Sequence, residues 1–368
     1  MTNKLKLTTA LAGSLMVLGA TSANAQTYYK DGISGNLAIS YQATKSENKA
    51  NSFRTFGKES QFNLAASGAL NNGWNYKAGT SIEMDGGDGT TAITGSAADT
   101  PSVNTLQAQQ AENTFIDFIN GNTTITIGAD HLAMSDTNSY SNHVGFGYIG
   151  ADGVMNVRSL YPTNVSNYQA YGIGIVQTTA IGKFSANYTP SASNGQSAND
   201  IFNGNGVLTG QTAESAYELV YQGNLGLNGL SVLGSYMSAQ RMSVGNTADA
   251  KSTRVGVKYN FGSFTVGADR SREENIQAMT TKAAVQKFNG DSVGVSYAVN
   301  KELSIGATYA EAKTDLAANN KKESTTIVAV GYNLGPVAVV GQYKNAQNVN
   351  GQSPNDGQQV GVWVNTNF

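Results

Sequence analysis

The chain contains no cysteine. Disulfides and thiolate metal centres are therefore excluded, and an exported protein of this composition must be held together by closed hydrogen bonding instead. Charge is scarce too, at 13% of residues against about 25% in soluble domains. Such a chain should be greasy, yet its mean hydropathy is −0.28 because neutral polar residues fill the gap. Past the first 25 residues no segment approaches the roughly 18 consecutive apolar residues of a membrane helix, so helical spans are excluded. Histidine occurs only twice. The 23 basic and 25 acidic residues form no basic patch, and nucleic acid is not an expected partner.

The opening segment reads as a leader rather than as fold. Lys4 and Lys6 precede an apolar stretch from Leu7 to Ala20, and Ala23-Asn24-Ala25 offers small residues to a signal peptidase. The apolar stretch falls short of the ~20 residues that span a bilayer, which argues against a membrane anchor. Residues 1–25 are expected to be removed, leaving one domain over residues 26–368.

What the chain has in quantity is alternation, together with 42 glycines and 18 tyrosines. Val255, Val257 and Tyr259 run into the turn Asn260–Ser263, and Phe264, Val266 and Ala268 come out of it. Val293, Val295 and Tyr297 do the same before Leu303, Ile305, Ala307 and Tyr309, as do Val328, Val330 and Tyr332 before Val337, Val339, Gly341 and Tyr343. A period of two places each apolar set on one face of a strand and Ser, Thr, Gly, Lys or Asn on the other. Sixteen such strands are expected: Gly32–Ala43, Glu59–Leu70, Trp74–Asp85, Glu112–Ile119, Thr123–Asp130, Asn167–Gln177, Gly182–Thr189, Glu214–Leu225, Leu230–Gln240, Ser252–Asn260, Phe264–Ser271, Asp291–Ala298, Leu303–Ala312, Thr325–Asn333, Val337–Asn345 and Gln358–Phe368.

Their connections alternate between short and long, the long ones including Thr44–Lys58, Gly86–Ala111 and His131–Ser166. Tyr221, Tyr259, Tyr297 and Tyr332 stand just before short turns, whereas Tyr41, Tyr188, Tyr236, Tyr309 and Tyr343 stand near the opposite strand ends. Two girdles of amphipathic rings suit two membrane interfaces. The pattern predicts an all-β fold: a transmembrane antiparallel β-barrel of sixteen strands with short periplasmic turns and long extracellular loops. In hydrocarbon the sheet must close, because each unpaired edge group costs several kcal/mol. Sixteen strands then leave a lumen wide enough for water.

In these respects the chain resembles the Gram-negative general porins, trimeric diffusion channels of sixteen strands. The last strand carries much of the likeness, because Val360, Val362, Val364 and Thr366 alternate up to a final Phe368. It is similar to the signal that the outer-membrane assembly machinery reads, with Val364, Thr366 and Phe368 as its residues. A second likeness is Thr114–Phe118, the Asn120-Gly121-Asn122 turn and Thr124–Gly128. In porins such a hairpin precedes a third loop that folds into the pore and narrows it. By position that loop is His131–Ser166, the longest connection, with Gly145, Gly147, Gly150 and Gly153 to ease a tight course. The enterobacterial Pro-Glu-Phe-Gly-Gly tip is absent, Phe146–Gly150 being the nearest analogue, and no dense arginine ladder faces it. The resemblance implies a homotrimer, with Gly86–Ala111 as the candidate latch over a neighbour, and a place among outer-membrane lipid and lipopolysaccharide.

The function expected is passive diffusion of small hydrophilic solutes and ions through a water-filled channel. Constriction candidates are Asp130, His131, Asp136, His143, Asp152 and Arg158; pore-wall candidates are Lys77, Glu83, Glu218, Arg254, Lys258 and Asp269. Asp136 and Asp152 against Arg158 in that loop, with Asp130 at its entrance, predict a preference for cations, weak because Lys77, Arg254 and Lys258 add opposing charge on the wall. A substrate-selective channel would line its inner wall with a track of aromatics, but Phe115 and Trp363 are the few inward ones. A barrel enzyme could recruit His131 or His143 with Ser135, Asp130 or Asp136, although no nucleophile elbow or metal-ligand spacing accompanies them. A surface adhesin is the third alternative. The Asp85–Gly89 run has neither the Lys-Ser/Thr of a phosphate loop nor the closing Glu of a calcium loop, and reads as an extracellular loop. No catalytic residue, cofactor or metal is expected.

Overall fold

The computed structural model describes residues 32–47, 53–83, 110–129, 171–189, 212–242, 249–274, 287–314, 321–348 and 356–368. Period-two alternation becomes sixteen strands: β1 Gly32–Ser46, β2 Phe53–Ala69, β3 Asn75–Glu83, β4 Gln110–Asn120, β5 Thr123–Ala129, β6 Tyr171–Thr179, β7 Gly182–Thr189 and β8 Thr212–Gly223, followed by β9 Leu230–Met242, β10 Ala250–Phe261, β11 Phe264–Glu274, β12 Lys287–Ala298, β13 Leu303–Thr314, β14 Glu323–Asn333, β15 Val337–Gln347 and β16 Gly357–Asn367. Each pairs antiparallel with its sequence neighbours, and β1 pairs with β16 from Asn36↔Asn367 to Ser46↔Gly357, so the barrel is closed.

Closure leaves two unlike faces. On β16 Gly357, Gln359, Gly361 and Trp363 are buried while Val360, Val362 and Val364 are exposed. On β10 Ser252 and Arg254 are buried, whereas Val255 and Val257 are 58% and 43% exposed. Only the concave side of a closed sheet can cover its own side chains, so the buried, largely polar set lines the lumen. The apolar set points outward, forming a belt far beyond what a water-soluble surface tolerates. Inside-out polarity of this kind suits a barrel in lipid.

Asparagine sets several short turns. Asn72, Asn224, Asn300 and Asn333 each accept, through the side-chain carbonyl, the amide two residues on, as with Gly335 onto Asn333 at 2.8 Å. Gly226 and Gly335 take φ of 79° and 91° in two of these turns, which a side chain resists. Aromatic rings mark the short-turn end: Tyr259, Phe261, Phe264 and Tyr297 follow one another at centroid separations of 5.9, 5.6 and 4.6 Å. Toward the other end Tyr41 meets Phe56 at 5.1 Å and Tyr217 meets Tyr236 at 6.0 Å.

The expected strands are all present, with corrections at their ends. β2 begins at Phe53 rather than Glu59, because pairing with β1 continues to Thr44↔Phe53. β11 and β12 likewise continue to Glu274↔Lys287. These extensions carry Lys45, Arg54, Arg272 and Lys287, so apolar alternation could not reveal them. Conversely Leu225, expected in β8, sits in the turn at φ 51°.

Candidate pore wall

Strand parity decides which side chains reach the lumen. Arg254 lies on the inward face of β10 and donates from Nη2 to Oδ1 of Asp269 on β11 at 2.8 Å, both side chains being 1% exposed. Gly256, between Arg254 and Lys258, is the cross-strand partner of Asp269. Asp269 therefore stands between the two cations, and Lys258 is in electrostatic contact with it.

Farther round the same wall Asn187 donates to Glu218 at 3.2 Å and accepts from Ser185 at the same distance. Register continues this row from Asn187 through Glu218, Met237 and Ser252 to Glu273. Opposed pairs also occur on other strands. Lys77 on β3 faces Asp117 on β4, and Asp117 accepts from Thr126 on β5. Buried Lys344 on β15 interacts with Glu323 on β14. At the seam Gln359 donates to Gln42 and Thr44, at 3.1 and 3.2 Å. Such a wall can hold water and pass polar solutes, while its cations named here remain close to carboxylates.

Of the wall candidates, Lys77, Glu218, Arg254, Lys258 and Asp269 therefore face inward. Glu83 occupies a backbone position paired with Gln61 and Gln110, and its side chain is not among those described. The loop candidates Asp130, His131, Asp136, His143, Asp152 and Arg158 lie outside the described residues, as do the leader 1–25 and residues 86–109 of the latch Gly86–Ala111, whose last two residues open β4 instead. Asp117, Glu273, Glu323 and Lys344 were absent from the expected set. Parity alone would have found Asp117 and Lys344; Glu273 and Glu323 stand past the last apolar outward residue of their strands.

Phe115 and Trp363 are inward and buried, at 2% and 6% exposure. Phe115 lies against Gly79, where an added Cβ would approach its ring to 2.8 Å, so it is sheet packing rather than part of a solute track. Among the described residues no cluster of His, Asp or Glu could hold a metal ion. At the end of β16, Val364 and Phe368 are outward and exposed, and the Thr366 hydroxyl donates to the Pro336 carbonyl at 2.9 Å.

Solved structures share this architecture. An anion-selective porin from Comamonas acidovorans superposes with a TM-score of 0.62 at 13% identity, covering 91% of this chain and 98% of that one. Salmonella typhi OmpF in complex with daunomycin gives 0.63 at 14% identity, with coverage of 93% and 99%. Vibrio cholerae OmpT, folded in vitro and described as a trimer form, gives 0.53 at 12% identity, with coverage of 91% and 99%. No curated protein sequence matches. The family model for Gram-negative porins, however, matches residues 8–351. A closed barrel of sixteen strands with an apolar exterior and a hydrophilic wall is thus joined to a sequence match over nearly the whole chain, which belongs to the Gram-negative porin family, the outer-membrane channels for passive diffusion.

Proposed function

We propose that this porin is a weakly cation-preferring channel whose field is set chiefly by the connection 131–166. The observation that carries this reading is the pairing of wall cations. Arg254 is held by Asp269 at 2.8 Å, Lys258 shares that carboxylate, Lys77 faces Asp117 and Lys344 interacts with Glu323. With these wall cations each near a carboxylate, and Glu218 and Glu273 adding further acids to the wall, the loop carboxylates Asp136 and Asp152 against Arg158, with Asp130 at the loop's entrance, add to a negative field. Two uncompensated negative charges in a constriction narrower than the ~8 Å screening length at physiological salt enrich cations. The likeness to an anion-selective porin is one of fold at 13% identity; the sign of selectivity follows from this chain's own charges.

The same reading assigns residues 1–25 to export, and Val364, Thr366 and Phe368 to recognition by the assembly machinery. A homotrimer within outer-membrane lipid and lipopolysaccharide fits the relative described as a trimer. Permeation by sieving and electrostatics needs no catalytic group. Reversal potentials across a bilayer under a salt gradient test the proposal. Wild type is expected to favour cations, and Asp136→Asn/Asp152→Asn to abolish that preference. Anion preference in the wild type, or an unchanged potential in the double variant, would overturn it.

A further inference from the structure

Charge on the inner wall is sorted along the barrel axis. Lys183, the second residue of β7, shares a face with Ser185, Asn187 and Thr189, which are buried, whereas Lys183 is exposed. Its cross-strand partners are Thr178 and Gln222, so neither neighbour in register is a carboxylate. Lys258 on β10 and Lys77 on β3 are half-buried, and with Asp117 on β4 they too face inward within four residues of a short turn. Among the described side chains these are the inward charges at that mouth, three ammoniums and one carboxylate. The short turns themselves add only Lys301 and Glu302, which cancel.

Six or more residues from the short turns the sign reverses. There Glu218, Asp269, Glu273 and Glu323 stand with Arg254 and Lys344, four carboxylates and two cations, all buried. Pairing leaves this order in place. Above, Arg254 is held by Asp269 and Lys344 interacts with Glu323, so the balance is the charge of Glu218 and Glu273. Below, Lys77 faces Asp117, so the balance is the charge of Lys183 and Lys258. Lys258 is attracted by Asp269 one level up, which puts the junction of the two zones between those residues. All four balancing charges lie on the wall β7–β11, the acids toward one mouth and the cations toward the other.

We propose that this axial order makes the channel a rectifier, passing more current at low salt when the mouth opposite the short turns is positive than when it is negative. Under the first polarity cations enter through the acidic zone and anions enter from the other end through the basic one. Each ion is concentrated by the zone it meets first, and both gather at the junction, so conductance rises. Under the opposite polarity each ion meets a zone of its own sign first, and the junction is depleted. Lys183 contributes most to the basic zone, because its ammonium is exposed to the lumen and has no carboxylate in register. Rectification in symmetric salt is a separate quantity from the reversal potential in a salt gradient, so this device and the cation preference can each fail alone.

Single-channel recording of the purified protein in symmetric potassium chloride, at equal voltages of opposite sign, tests the device. The current ratio is expected to reach at least about 1.5 in roughly 0.1 M salt, where screening extends ~10 Å, and to approach unity in about 1 M salt, where it extends ~3 Å. The chain has no cysteine, so Lys183→Cys carries a single thiol. That variant should rectify less. Coupling a trimethylammonium-bearing thiosulfonate to the thiol should restore the ratio, whereas a sulfonate-bearing one should lower it further. A thiol-reactive polyethylene glycol too large to permeate blocks this variant only from the short-turn chamber, which fixes the orientation of insertion. Lys258→Gln should also lower the ratio, and heat-modifiable migration reports the folding of each variant. Equal wild-type currents at low salt, the larger current under the other polarity, a ratio that persists at high salt, or the same response to both reagents would overturn the proposal.

Discussion

The ring of Phe368 lies over Gly35, so that a Cβ added to Gly35 would come within 2.6 Å of a ring carbon. Backbone hydrogen bonds of 2.9 and 3.0 Å join the same two residues across the seam where the last strand meets the first. Phe62 meets the Phe368 ring edge-on at a centroid distance of 5.6 Å. Gly35 is thus the notch that admits the terminal aromatic.

Filling that notch is expected to impair assembly. Gly35→Val should displace the ring and also strike the Gln61 carbonyl, which lies 2.5 Å from the added Cβ. Deleting Phe368 should lower outer-membrane yield and leave protease-sensitive chain in the periplasm. Cell fractionation with protease treatment measures both; normal yield from the deletion would contradict the assembly role.

The two faces of the sheet should respond oppositely to charge. Val330→Arg, at an outward position 46% exposed, is expected to cost about 2–4 kcal/mol near the bilayer midplane. Gln342→Arg, on the inward face of the adjacent β15, should be much milder. Urea titration of folding into lipid vesicles compares them, and equal costs would mean that the faces are reversed.

Arg254 and Asp269 should be coupled. Removing one partner of a buried ion pair costs about 3–5 kcal/mol when nothing else balances the charge left behind; Lys258 still faces Asp269 here and reduces that loss. Arg254→Gln should therefore be destabilising by less than the full amount, and Arg254→Gln/Asp269→Asn less so still. A double-mutant cycle that returned simple additivity would show that the pair at 2.8 Å carries no coupling.

Much of this fold was legible in the sequence because lipid outside and water inside impose a strict period of two. All three repeats ending in Tyr259, Tyr297 and Tyr332 became strand-turn-strand units in register, and the polar wall followed from the same parity. Legibility ended where the membrane ends. Above the aromatic level the outward positions of β11 and β12 hold Arg270, Arg272, Asp291 and Lys287, so strand and loop look alike in composition.

A diffusion channel requires a continuous aqueous path through the barrel's lumen, one that excludes no small ion outright. Planar-bilayer recording of the purified protein in a series of potassium chloride concentrations tests it most directly. A water-filled pore predicts stable stepwise openings whose conductance rises in proportion to bulk conductivity at high salt. A bilayer that stays silent with folded protein present, or steps whose conductance saturates as at a tight binding site, would contradict it.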